Sequence, residues 1–160
     1  MLNHLVNLPT DFAGAFQRLP AQTRYLFTHA YQSHVFNLIV AERVKRKLFY
    51  PMEGDVLENG IPTAVLPGIR SKLAKGIPGE LEQQIMTEEK ITPAFFANPN
   101  MNELASWGGR KPILLRVHDF RLNKVVADAF YPERMAASVS FWLDKGTYAT
   151  VALRELLKNE

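Results

Sequence analysis

Between Thr23 and about Lys47, Leu26, Ala30, Ser33, Phe36 or Asn37, Val40 and Val44 recur at three- and four-residue intervals with no Gly or Pro among them. That period predicts a long helix with one face turned to a core. Thr23 is a candidate N-cap. Arg43, Lys45, Arg46 and Lys47 stand in the last turns, where cations suit the negative end of the helix dipole. Ahead of it, Leu2, Leu5, Leu8, Phe12 and Phe16 have near-helical spacing broken by Pro9, a short helical piece and a connector.

The pattern changes after Pro51 and Gly54-Asp55. Residues 56–109 hold Pro62, Pro67, Pro78, Pro93 and Pro99 with Gly60, Gly68, Gly76, Gly79, Gly108 and Gly109. So many breakers predict a small irregular subdomain, with a helix over Gly79–Glu88 and a short one over Met101–Trp107. From Lys111 the pattern alternates. Ile113–Val117, Lys124–Phe130 and Ala137–Leu143 read as strands, the last with Ala137, Val139, Phe141 and Leu143 on one face. A helix from Gly146-Thr147 to about Lys158 closes the chain. Long helix, irregular insert, closely spaced strands and final helix predict an α+β class without parallel crossovers.

Length and composition fit this picture without sharpening it. The 160 residues are enough for one full core, and 47% apolar with 22% charged residues is ordinary for a globular domain. A formal charge of +3 permits nucleic-acid binding without arguing for it. The chain has no cysteine, which excludes disulfides and thiolate metal sites. No run approaches the ~20 apolar residues of a membrane span, and residues 1–20 lack the layout of a cleaved signal, so the expected location is the cytoplasm.

Two stretches carry chemistry. In Tyr31-Gln32-Ser33-His34-Val35-Phe36-Asn37, helical spacing sets Ser33 with Asn37, and Tyr31 with His34. The set fits either a helix whose polar groups bond to neighbouring backbone or a polar face turned to a base or phosphate. In the second, Phe141 and Trp142 point to opposite sides of a strand that ends in Gly146-Thr147-Tyr148-Ala149-Thr150. One ring suits the core and the other a stacking platform. Gly146 permits a sharp turn, Thr147 can cap a helix, and free amides there attract anions, with plain capping as the simpler alternative. Arg154 can reach a phosphate or pair with a carboxylate. His4, His29, His34 and His118 have no metal-ligand spacing. Ser33 and His34 are adjacent and diverge on a helix, which excludes a nucleophile–base pair. No glycine-rich nucleotide-binding motif occurs, so neither a metal nor a cofactor is indicated.

Read literally, Ala30-Tyr31-Gln32-Ser33 followed by Phe36-Asn37, and Phe141 followed by Gly146-Thr147-Tyr148-Ala149-Thr150 with Arg154-Glu155-Leu156, resemble the C-terminal half of the TruD family of tRNA pseudouridine synthases. Pro51-Met52-Glu53-Gly54-Asp55, Pro67-Gly68 and Gly108-Gly109-Arg110-Lys111-Pro112 resemble that family's landmarks around its inserted domain. The resemblance implies a pseudouridine-synthase-type catalytic domain, with a mixed or antiparallel sheet and flanking helices. Residues 1–55 and 110–160 would form its C-terminal part, and residues 56–109 the inserted TRUD-type subdomain. It also implies tRNA as partner, with Tyr31, Gln32, Ser33, Asn37, Arg110, Phe141, Gly146, Thr147, Tyr148, Thr150 and Arg154 facing RNA. Phe141 is expected beside the target nucleotide, near Tyr31 and the Gly146 turn, with Trp142 packed on the opposite face. Lys45, Arg46, Lys47, Arg110 and Arg154 are the expected phosphate contacts.

The same resemblance makes one segment important. The family's chemistry belongs to an aspartate in a Gly-x-Lys-Asp-type segment. Asp11, Asp55, Asp119, Asp128 and Asp144 have no such context, and the family's Asn-x-Phe-Gly segment does not occur in these 160 residues. No catalytic residue is therefore nominated. The chain is expected to be the downstream half of such an enzyme, from a split or truncated reading frame or a fragment, with a separate N-terminal half as a candidate partner. The alternative is a non-catalytic RNA-binding or assembly module that keeps the family fold.

Overall fold

The computed structural model describes residues 1–97 and 104–157. The elements are helices α1 (Leu2–Asn7), α2 (Phe12–Gln17) and α3 (Ala21–Lys45), strands β1 (Leu57–Glu58) and β2 (Ile61–Leu66), helix α4 (Gly76–Glu88), a 3-10 turn over Pro93–Phe96, strands β3 (Gly109–Pro112), β4 (Val117–Ala127) and β5 (Met135–Leu143), and helix α5 (Ala149–Leu157). They fall into two compact units, Met1–Ile113 and Leu114–Glu160. Helices beside antiparallel sheets make the class α+β.

In the first unit the core forms where α3 and α4 pack on β2. Val35 and Ile39 of α3, Ala64 and Val65 of β2, and Leu81, Ile85 and Met86 of α4 join Ile91 and Phe96. Strand β2 runs between β1 and β3, both antiparallel, with Val65 opposite Arg110. Its first five residues are all buried. Sequence periodicity gave no sign of this strand, because Pro62 lies inside it and Pro67 just beyond.

Helix α3 starts two residues before Thr23. Pro20 takes the N-cap position with φ −52°, inside the range its ring permits, and its carbonyl accepts from the amides of Thr23 and Arg24. The core face also differs from the expected one. The buried side chains are Gln32, Val35, Ile39 and Arg43, whereas Leu26 is 64% and Val44 54% exposed. Two of the four buried positions are polar, so a count of apolar letters selects the opposite side of the helix. Burial of those two is compatible with stability because each side-chain nitrogen and oxygen of both has a partner. Arg43 makes a bidentate pair with Asp55, at 2.7 and 3.0 Å, and donates Nε–H to the Leu48 carbonyl.

The second unit begins as a hairpin. Strand β4 pairs with β5 from Val117↔Leu143 to Ala127↔Met135, with irregularities between His118 and Arg121 and between Leu122 and Lys124. Asp128 Oδ1 accepts from the Phe130 and Tyr131 amides and fixes the turn. Two strands were expected over 113–117 and 124–130. The chain instead ends one sheet at Pro112, bends, and runs a single long strand to Ala127. The expected helix over Met101–Trp107 falls partly outside the described residues, and Ala105–Trp107 are not helical. Among the described residues no helix is long and apolar enough to cross a membrane.

Candidate functional site

Within the first motif Val35 belongs to the core, and of the polar side chains only Gln32 is buried. Its Nε2 donates to the Pro67 carbonyl and to Ser106 Oγ, both at 2.7 Å, while Oε1 lies 3.0 Å from His29 Nδ1. It therefore staples α3 to two loops distant in sequence. Ser33, His34 and Asn37 are exposed, and Ser33 and Asn37 share the outer face one turn apart. Tyr31 is half-buried, its ring stacked 6.2 Å from His34 and 5.4 Å from Phe95. Burial, with the Glu89 carboxylate nearby, raises the Tyr31 hydroxyl above its ordinary pKa. The phenol is thus a neutral donor at physiological pH. The helix presents a polar stripe edged by an aromatic cluster, suited to contacting a base without a formal charge.

Arg110 has a different setting from the exposed cation that its sequence context suggests. Nε donates to Thr63 Oγ1, one terminal nitrogen to the Lys72 carbonyl and Glu82 Oε2, and the other to the Thr63 carbonyl and Glu82 Oε1. All five guanidinium donors are engaged within the unit. Glu82, 1% exposed, completes its carboxylate with the amides of Val65 and Ala74. Glu82 is one of three glutamates on α4 and gives no sequence signal for this role, and neither does Arg43 with Asp55. Lys45 and Arg46 both reach Glu42, at 3.5 and 2.7 Å. The Arg46 hydrogen bond is the largest cause holding the Glu42 carboxyl below its usual range.

In the second unit the irregularity at His118–Arg121 sets Asp119 and Phe120 against Phe141, a two-against-one bulge. Asp119 takes the left-handed φ of 50° that the bulge requires. The rings of Phe120 and Phe141 stack at 6.2 Å and 22°, leaving Phe141 half-buried. Trp142, expected to be packed, is 73% exposed. Asp119, Arg121, Ser140, Phe141 and Trp142 line an open depression of about 350 Å³.

At the strand end Gly146 has φ +87°, as a turn of this hand requires. Thr147 does not cap the helix: its hydroxyl donates to the Asp144 carbonyl at 2.6 Å, and α5 begins two residues later. Tyr148, Thr150 and Arg154 are exposed, with Arg154 in the last turn. The structure thus groups Tyr31, Gln32, Ser33, Asn37 and Arg110 in one unit, and Phe141, Gly146, Thr147, Tyr148, Thr150 and Arg154 in the other. Among the described residues no cluster of His, Asp and Glu has metal-binding geometry.

Comparison with known proteins adds the family. The family described as tRNA pseudouridine synthase D (TruD) matches residues 1–60 and 57–156. The chain is similar to the probable tRNA pseudouridine synthase D of Methanopyrus kandleri, with 43% identity over all of this chain and 39% of the relative. For the probable tRNA pseudouridine synthase D of Methanosarcina barkeri the identity is 35%, over 99% of this chain and 43% of the relative. A crystal structure from Methanosarcina mazei assigned to TruD superposes with a TM-score of 0.81 at 30% identity, over 99% of this chain and 43% of that one. The chain therefore spans about two fifths of the length of the relatives it matches. From the two motifs, the fold and these matches, the chain belongs to the tRNA pseudouridine synthase D (TruD) family and corresponds to a C-terminal portion of its members.

Proposed function

We propose that this chain forms the RNA-facing C-terminal portion of a cytoplasmic tRNA pseudouridine synthase. The observation that carries the reading is the family match over residues 1–156, which contains both motifs. Isomerising uridine in tRNA requires cutting the glycosidic bond, turning the base and joining its C5 to the sugar, with one aspartate and no cofactor. The aspartate belongs to a Gly-x-Lys-Asp-type segment, which these 160 residues do not contain. The chain's own part is to bind and orient. Tyr31, Ser33 and Asn37 offer neutral hydrogen-bonding groups on the outer face of α3, and Phe141 offers a ring edge to a base. Tyr148, Thr150 and Arg154 meet the RNA backbone around the Gly146 turn. Gln32 and Arg110 act as positioning residues, holding the scaffold rather than touching RNA.

Pseudouridine formation on tRNA, with this chain alone and mixed with a polypeptide bearing the Gly-x-Lys-Asp segment, tests the proposal. No product alone and product in the mixture is the expected result. Activity of the chain alone overturns the division of labour. Binding of tRNA with no product in the mixture favours a non-catalytic RNA-binding module.

A further inference from the structure

We infer that Arg70 and Trp107 form a stacking platform for an unpaired base of the RNA, a site separate from the two motifs; this rests on the proposed RNA-binding role. The Arg70 guanidinium carbon lies 4.2 Å from the centroid of the Trp107 ring, yet the indole remains 58% exposed. A cation against an aromatic ring with open surface left on it is the combination that single-stranded nucleic-acid proteins use to hold bases.

The mounting beneath the pair is rigid. The Ile69 amide donates to the Ser106 carbonyl at 2.9 Å, and the Arg70 amide to the Trp107 carbonyl at 3.0 Å. A Cβ on Gly68 would lie 2.1 Å from the Gly108 nitrogen, so the two loops touch backbone to backbone and only glycine fits there. Gln32, 4% exposed, reaches both loops from α3 through Pro67 and Ser106. A ring held this firmly at the surface is pre-ordered, so a ligand meets little entropic resistance when it stacks.

The surrounding charge selects the ligand. Residues 67–75 and 104–112 hold Arg70, Lys72, Lys75, Arg110 and Lys111 and no Asp or Glu. Arg110 is neutralised by Glu82; Lys72 and Lys75 are exposed on the segment that follows Arg70. A cation on the ring with exposed lysines following it along the same segment fits a phosphate-linked base better than an apolar peptide.

Emission separates the two tryptophans. In W142F only Trp107 emits, and in W107F only Trp142. Titration with tRNA is expected to quench W142F saturably, at the concentration where filter binding saturates, whatever the response of Trp142 in W107F, since Trp142 lines the Phe141 depression. W107A is expected to lower tRNA affinity roughly tenfold, with W107F retaining most of it. R70A weakens binding as well and steepens no salt dependence. If tRNA binds the wild-type chain while W142F emission is unchanged and W107A binds normally, the pair is surface packing only and the proposed function stands without it. Quenching confined to W107F moves the stack to Trp142 and overturns the assignment. Emission of W142F that follows protein concentration without RNA makes the face a protein interface and also overturns it. A wild-type chain that binds no tRNA removes both the proposed function and this site.

Discussion

Replacing Arg110 by Met separates a scaffold role from RNA contact. Methionine matches the length of the aliphatic stem but removes all five donors. Glu82 stays buried at 1% exposure, its carboxylate served only by the Val65 and Ala74 amides. The Thr63 carbonyl loses its Arg110 donor at the same time. Breaking one side of a buried ion pair leaves an uncompensated charge and costs about 3–5 kcal/mol. R110K restores the charge, but its three donors cannot cover five acceptors, and the loss is about 1–3 kcal/mol. Urea unfolding followed by Trp107 emission, in W142F so that the first unit alone is read, measures both losses. The reasoning is refuted if R110M unfolds within about 1 kcal/mol of its parent while tRNA affinity falls tenfold, since Arg110 would then be an RNA contact whose pairing with Glu82 is incidental.

Two further outcomes follow from the same geometry. Asp11 accepts the Gly14 amide at 2.8 Å and pairs with His4 at 2.8 Å, and these bonds, the amide first, hold its carboxyl below the usual value. A lowered folded pKa stabilises above the unfolded value of ~3.9 and is lost as pH falls through the folded one. Helix α2 should therefore loosen only below about pH 4, read by amide exchange at Ala15 and Phe16; loosening already complete well above pH 4 would refute the role of the Asp11 carboxylate. Phe141→Ala should weaken tRNA binding or complemented activity by about 1–3 kcal/mol. Its unfolding free energy should fall less than the ~3–5 kcal/mol of a fully buried ring, because the ring is only half-buried. The converse result makes Phe141 a core residue.

The long helix, the hairpin's second strand and the last helix were legible because their patterns are local. Alternation over Ala137–Leu143 and an unbroken helical run need no knowledge of the partner surface. The orientation of α3 was not legible. Gln32 and Arg43 are buried because Pro67, Ser106, Leu48 and Asp55 come to meet them, and no window around α3 contains those first two partners. Strand β2 was hidden for a related reason: its prolines break the strand signal, while its burial comes from helices on either side in sequence. The Tyr31–Asn37 motif was legible only as a string. Which of its members face outward depends on that same orientation, and Gln32 proves to be the inward polar one.

The pairing of β2 with β3 also has a consequence for the order in which the polypeptide matures. Thr63 and Arg110 are 47 positions apart, whereas β4 and β5 are joined across the short Asp128–Arg134 turn. The hairpin can close within microseconds of being available. On the ribosome, at roughly 5–20 residues per second, β3 follows β2 by about 2–10 s. Throughout that interval the inner strand of the first unit has one unpaired edge, along which Pro62 offers no donor to a foreign strand. Addition of β3 then pairs that edge from Thr63 to Leu66 and brings Arg110 onto the buried Glu82.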